Sequence, residues 1–224
     1  MALKRAQFLA LTGLDIDGHT NMQRRDVYPV QPSYERAYNA FAAFAYRLSD
    51  RLAQSPDGHG MNRVMAGNII RDCARMLIER ADDIDASAEM FADAKSWREY
   101  ASGDYGAPAQ AILAGRLVLR GVKLGYQPFV GTPAELAAVL SEHHAIDVIL
   151  TNATAHRVVF NNIAQGEGID VADMWPDPST FPTWDELCEE YAGTWNKIVE
   201  ETYARRREQT ESPARGNGGD GEST

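Results

Sequence analysis

Glu142, His143, His144, Asp147 and His156 form the densest grouping of carboxylates and imidazoles in the chain. On one continuous helix His143 and Asp147 would share a face at i,i+4, a spacing that two zinc ligands can use. No second ligand pair accompanies them, the segment leaves helix at this point, and a helix C-terminus attracts histidine by charge alone. Gly115, Gly121, Gly125 and Gly131 are scattered and build neither a Walker nor a dinucleotide loop. Cys73 and Cys188 have no histidine close by in sequence, and Ser33 and Ser141 lie in no nucleophile elbow. The chain is therefore read as not an enzyme, with no metal and no cofactor. Acid–base chemistry at Glu142, His143 and Asp147 ranks third among the functions considered.

A second set of residues suits a different chemistry. Thr20, Asn21, Gln23, Arg24 and Arg25 can hydrogen-bond base edges or neutralise phosphates. The segment that would position them is Phe8–Pro29, FLALTGLDIDGHTNMQRRDVYP. It reads as a short helix, a turn at Gly13, a capping residue at Asp15, a polar second helix, and an extended exit at Val27-Tyr28-Pro29. Gly13 supplies the left-handed backbone that such a turn requires. That order is a helix-turn-helix; a helical hairpin that only packs in the core would use the same elements.

The string Leu11-Thr12-Gly13-Leu14, the polar helix through Arg24-Arg25 and the exit at Val27-Tyr28-Pro29 resemble the opening of MerR-type and excisionase-like winged helix-turn-helix regulators of prophages and mobile elements. The resemblance covers about the first third of the chain. It implies transcription regulation by a DNA-binding protein whose partner is double-stranded DNA, read by Thr20, Asn21, Gln23, Arg24 and Arg25. The sequence departs from the family pattern at four positions. Leu9 stands where alanine is usual. Gly18 and His19 stand where a helix former and an apolar anchor are usual. Asp26 stands where glycine normally precedes the exit.

Charge is unevenly spread over the 224 residues. Residues 1–80 hold eleven Lys/Arg against eight Asp/Glu, whereas the remainder brings the net charge of the chain to −10. A positive end joined to an acidic one suits a nucleic-acid face and a partner-facing half. The rival function is accordingly a non-catalytic interaction or assembly adaptor using the acidic helical C-terminal half, which could also mediate a homodimer. No apolar run approaches the roughly 18–20 residues of a membrane span, and the N-terminus makes a poor signal peptide. Both cysteines read as buried hydrophobes rather than a disulfide, so a cytoplasmic location is expected.

Apolar periodicity places the remaining elements. Tyr34, Tyr38, Phe41, Ala45, Leu48 and Leu52 line one face of a helix, and Asn62–Arg80 forms a second that DDIDAS ends. A short helix is expected over Ala88–Tyr100. Ile112–Leu119 is strand or helix, Thr132–Glu135 opens a helix running to about His143, Ile146–Leu150 is a short buried strand, and Thr154–Gln165 is a helix. A capping box at Thr183–Glu186 starts the last helix, whose Trp184, Leu187, Tyr191, Trp195 and Ile198 make one stripe that reads as core. The expected fold is α+β, mainly α: a helix-turn-helix-like segment on a helical core (1–101), a small α/β middle closed by the C-terminal helix (102–207), and a disordered tail (208–224).

Overall fold

Alanine is what lets the central helix be central. In the computed structural model, which describes residues 2–31, 38–54, 59–93, 111–117, 126–142 and 145–211, helix α3 (Ala40–Ala53) buries ten of its side chains, five of them aromatic or Leu. Four small alanines among them allow neighbours to approach from several directions, the pattern of a helix buried nearly all round. The Asn39 side chain caps it by accepting from the Phe41 amide at 2.7 Å. Helices α1 (Arg5–Thr12), α4 (Arg63–Asp72) and α8 (Ala153–Gly166) pack on α3. Phe44 meets Phe160 of α8 edge-on at 5.6 Å and Trp175 at 5.7 Å; Phe41 meets Trp175 at 5.6 Å. Full burial of an aromatic side chain contributes about 2–3 kcal/mol, so these contacts carry much of the core.

Between α1 and α3 lie α2 (Ile16–Arg24) and a two-residue ribbon in which β1 (Ala2–Leu3) pairs antiparallel with β2 (Tyr38–Asn39). Tyr38 thus belongs to a strand, and the expected helix over Tyr34–Leu52 begins at Ala40 instead. Its early residues 32–37 lie outside the described residues. The expected helix over Asn62–Arg80 is two, α4 and α5 (Ala74–Glu79), with a break at Cys73. DDIDAS does not end a helix. It opens α6 (Ala81–Asp93), where Asp82 and Asp83 sit in the first turn and complement the helix dipole.

Ile112–Leu119 resolves in favour of strand. β3 (Ala111–Leu117) is the middle of an antiparallel sheet between β4 (Tyr126–Gly131) and β5 (Ala145–Asn152), with Ile112 opposite both Val130 and Thr151. β4 lies where no element was expected from sequence; its Pro128 lacks an amide donor, which an edge strand tolerates. α7 (Pro133–Glu142) follows β4 and is fixed by a capping box. Thr132 Oγ1 accepts from the Glu135 amide at 3.2 Å, and Glu135 accepts from the Thr132 amide at 2.7 Å. β5 is not fully buried, since Val148 and Leu150 are exposed.

Residues Met1–Pro182 form one compact unit. One hydrophobic cluster joins Phe8 and Leu11 of α1 to Ile112 of β3 and Phe160 of α8, so described residues on both sides of the expected boundary at 101/102 share a core. In the second unit, Thr183–Thr224, the described residues form α9 (Trp184–Glu211), opened by the expected capping box: Thr183 Oγ1 accepts from the Glu186 amide at 3.2 Å. α9 extends past the expected start of the tail at 208. Tyr191 on its stripe is exposed rather than core, and Cys188 is likewise exposed, while Cys73 is buried as expected. No helix among the described residues is long and apolar enough to cross a membrane.

Candidate nucleic-acid interface

The expected order of short helix, glycine turn, capping residue and second helix is present. α1 ends where Gly13 turns left-handed at φ 75° and its amide donates to the Leu9 carbonyl at 2.8 Å. Asp15 then caps α2, its carboxylate accepting from the Gly18 amide at 2.6 Å. This explains the glycine at position 18. It occupies the first turn rather than the helix interior, and a Cβ there would stand 2.8 Å from the capping carboxylate oxygen.

His19 is the anchor of α2. It is completely buried against Phe8, with ring centroids 5.6 Å apart. Its Nδ1 is 2.7 Å from the Tyr28 hydroxyl and its Nε2 is 3.3 Å from the Tyr38 hydroxyl. A histidine is tolerated at this buried position because tyrosines on two neighbouring segments satisfy both ring nitrogens, and buried polar groups must be paired. Phe8 also stacks on Tyr38 at 4.9 Å, so α1, α2, the exit and β2 meet in one aromatic box.

Asp26 lies at the turn that follows α2. It has φ 51°, the one positive φ of a non-glycine among the described residues. Aspartate tolerates this left-handed conformation better than most residues, and the Gln31 amide donates to its carboxylate. Beyond it Tyr28, Pro29 and Val30 are buried, which ties the exit to the core. Replacing Asp26 by Gly is expected to change stability by less than about 1 kcal/mol, whereas Asp26→Val should cost about 1–2 kcal/mol through left-handed strain. Equilibrium urea unfolding of both variants checks this; equal effects would deny the positive φ. Leu9 is half-buried and supplies the carbonyl that closes α1.

With His19 fixed inward, the opposite face of α2 points outward. Asn21, Arg24 and Arg25 are exposed. Thr20 and Gln23 are half-buried, which corrects the expectation that all five lie open, and the Thr20 hydroxyl donates to the Ile16 carbonyl at 2.8 Å. Asp17 shares the exposed face, a negative charge among the cations. Asn21 and Arg25 also form one wall of a cleft of about 510 Å3, with Asn62, Arg63 and Val64 on the other. Arg63 is paired with Asp50 at 2.8 Å. The sequence reading missed two cations that border this region: Arg63, and Arg47 of α3, whose guanidinium lies beside Gly13 and donates to the Leu11 carbonyl at 3.2 Å. The signal for Arg47 was its isolation in the apolar run of α3.

The other candidate grouping is not assembled. Glu142 is exposed at the end of α7, and His143 and His144 lie outside the described residues. Among the described residues no cluster of three or more potential ligands could hold a metal ion.

No family model, curated protein or solved structure matches this chain.

Two imidazoles withdrawn from water make the fold sensitive to acid. Burial, reinforced by Arg5, lowers the pKa of His19; burial, reinforced by Arg51 and Arg47, lowers that of His156 on α8 to about 4. Both rings are neutral when folded but bind protons near pH 6.5 when unfolded. Their contribution to stability is therefore complete above about pH 6.5 and is lost as pH falls below it, for His156 down to about 4. A tenfold change in proton affinity is worth about 1.4 kcal/mol, so His156 alone contributes on the order of 3 kcal/mol across that window. Denaturation midpoints measured from pH 7.5 to 4 should fall steadily, and less steeply in His156→Gln. A flat profile would contradict the withdrawal of both rings from solvent.

Proposed function

We propose that this protein binds duplex DNA as a regulator, with α2 entering the major groove. The observation that carries the reading is the arrangement of one short helix. Its inner face is locked by His19, its start is set by Gly13 and Asp15, and its outer face leaves Asn21, Arg24 and Arg25 free to meet a ligand. Asn21 and Arg24 are three residues apart and so point the same way. Asparagine matches the adenine edge and arginine the guanine edge, each bidentate contact worth about 1–3 kcal/mol of discrimination. Arg25 caps the helix one step round and suits a backbone phosphate, as does Arg47 beside the turn.

Selection of bound sequences from a random duplex pool tests the division of labour. Arg24→Ala should relax preference at one base position. Arg25→Ala should weaken all sequences about equally and make the salt dependence shallower. Both residues are exposed, so both variants should remain folded. An unchanged sequence preference in Arg24→Ala would remove the proposed frame. The second reading, an interaction adaptor working through the acidic C-terminal helix, is supported by exposed Tyr191 beside Glu189 and Glu190 on α9. On that reading neither arginine substitution would alter partner binding.

A further inference from the structure

α9 is long, and most of it meets water. It runs for 28 residues, about 42 Å at roughly 1.5 Å per residue. Every described residue from Cys188 to Ala204 is exposed, and these positions go all the way round the helix. Helices in proteins owe most of their stability to an apolar face packed against another surface, and a lone helix in water is marginal. Gly193, with open space where a Cβ would stand, weakens the middle of this one further. A stripe nevertheless runs along it. Tyr191, Trp195 and Ile198 follow one another at spacings of four and three, the pattern of a coiled-coil seam. Tyr191 is 38% exposed. A helix of this kind is stabilised by a surface that covers the stripe.

Charge says which surface. By helical step, Asp185 and Glu190 flank the line of the stripe at its start, and Arg205 and Arg206 flank it near its end. A second α9 can lie antiparallel, crossing the first at the Trp195–Ile198 stretch of each. The acidic start of each copy then lies beside the basic end of the other, twice over by twofold symmetry. A parallel pair would instead set carboxylates against carboxylates and guanidinium groups against guanidinium groups. The same signs also suit the dipole of a single helix. Only a contact between copies, however, can be rebuilt by exchanging charges between two different chains.

We infer that α9 pairs antiparallel with the α9 of a second copy of this chain, through Tyr191, Trp195 and Ile198. The inference rests on the reading of α9 as an interaction helix and names its partner; it does not depend on α2 reading DNA.

Sedimentation equilibrium of the full chain without DNA, across a concentration series, measures the pairing. The chain should shift reversibly from monomer to dimer. Ile198→Glu should weaken the dimer about 10- to 100-fold, the worth of one buried aliphatic side chain. Asp185→Lys with Glu190→Lys should weaken self-association, and so should Arg205→Glu with Arg206→Glu. An equimolar mixture of these two double variants should recover it, which charges serving only the dipole would not do. Orientation is read from Cys188, which is exposed while Cys73 is buried. In the antiparallel pair the two Cys188 residues stand about 25 Å apart along the axis, too far for a disulfide, so mild oxidation should leave the dimer uncrosslinked. A chain still monomeric at about 1 mM, a mixture no better than its components, or ready crosslinking through Cys188 overturns the inference. Monomers that bind a different protein through α9 would leave the adaptor reading standing and this pairing overturned.

Discussion

His19→Ala is expected to destabilise the protein by about 3–5 kcal/mol, a large part of the roughly 5–15 kcal/mol that holds a typical domain folded. Removing the ring opens a cavity among Phe8, Tyr28 and Tyr38, whose centroids lie 5.6, 5.8 and 5.5 Å from it. It also leaves the Tyr28 and Tyr38 hydroxyls without their shared partner. Tyr28 is 5% exposed, and burial raises its pKa, so it cannot escape the penalty by ionising. His19→Phe separates the two causes. It restores most of the volume but not the hydrogen bonds, and should cost about 1–3 kcal/mol. Urea unfolding of both variants measures the difference. A loss below about 1 kcal/mol for His19→Ala would mean that the ring is not the anchor of α2.

Asp85→Ala should be as damaging, at about 3–5 kcal/mol, for an electrostatic reason. Arg157 of α8 is 3% exposed, and its Nε donates to Asp85 of α6 at 2.6 Å. The same carboxylate accepts from Trp175 Nε1 at 2.7 Å, and the guanidinium lies 5.8 Å from the Trp175 ring centroid. Asp85 is 31% exposed, so the two partners are not equivalent. Deleting the carboxylate strands a buried cation, whose other partners are the Met174 sulfur and the Val171 carbonyl. Replacing the cation by a residue of similar length, Arg157→Met, leaves a carboxylate that water reaches, and should cost less than half as much. The double variant should be less destabilised than the sum of the two. A larger loss for Arg157→Met than for Asp85→Ala would place the buried charge on the wrong partner.

The parts of the fold that the sequence revealed are those with strong local codes. Thr132–Glu135 and Thr183–Glu186 are capping boxes whose geometry depends on four residues alone, and both are present. Gly13 and Asp15 likewise act locally. What was hidden depends on contacts distant in sequence. His19 looks out of place in a helix until Tyr28 and Tyr38 are brought to its nitrogens. Asp26 looks like a lost glycine until its backbone is seen to keep the left-handed turn. DDIDAS resembles a breaker because four polar residues crowd it, yet Ile84 and Ser87 on one side of α6 are fully buried, and packing against α8 overrides weak propensity.

Fluorescence anisotropy of the full chain with a labelled mixed-sequence duplex, repeated across a salt series, tests the DNA reading most directly. Binding is expected at low salt, with the logarithm of affinity falling linearly with that of salt concentration by about 0.9 for each phosphate contact. Arg25→Ala should make that slope shallower by about one contact. A chain that fails to bind duplex at the lowest salt, or whose binding is indifferent to salt and to Arg24 and Arg25, is not a protein that reads DNA through α2.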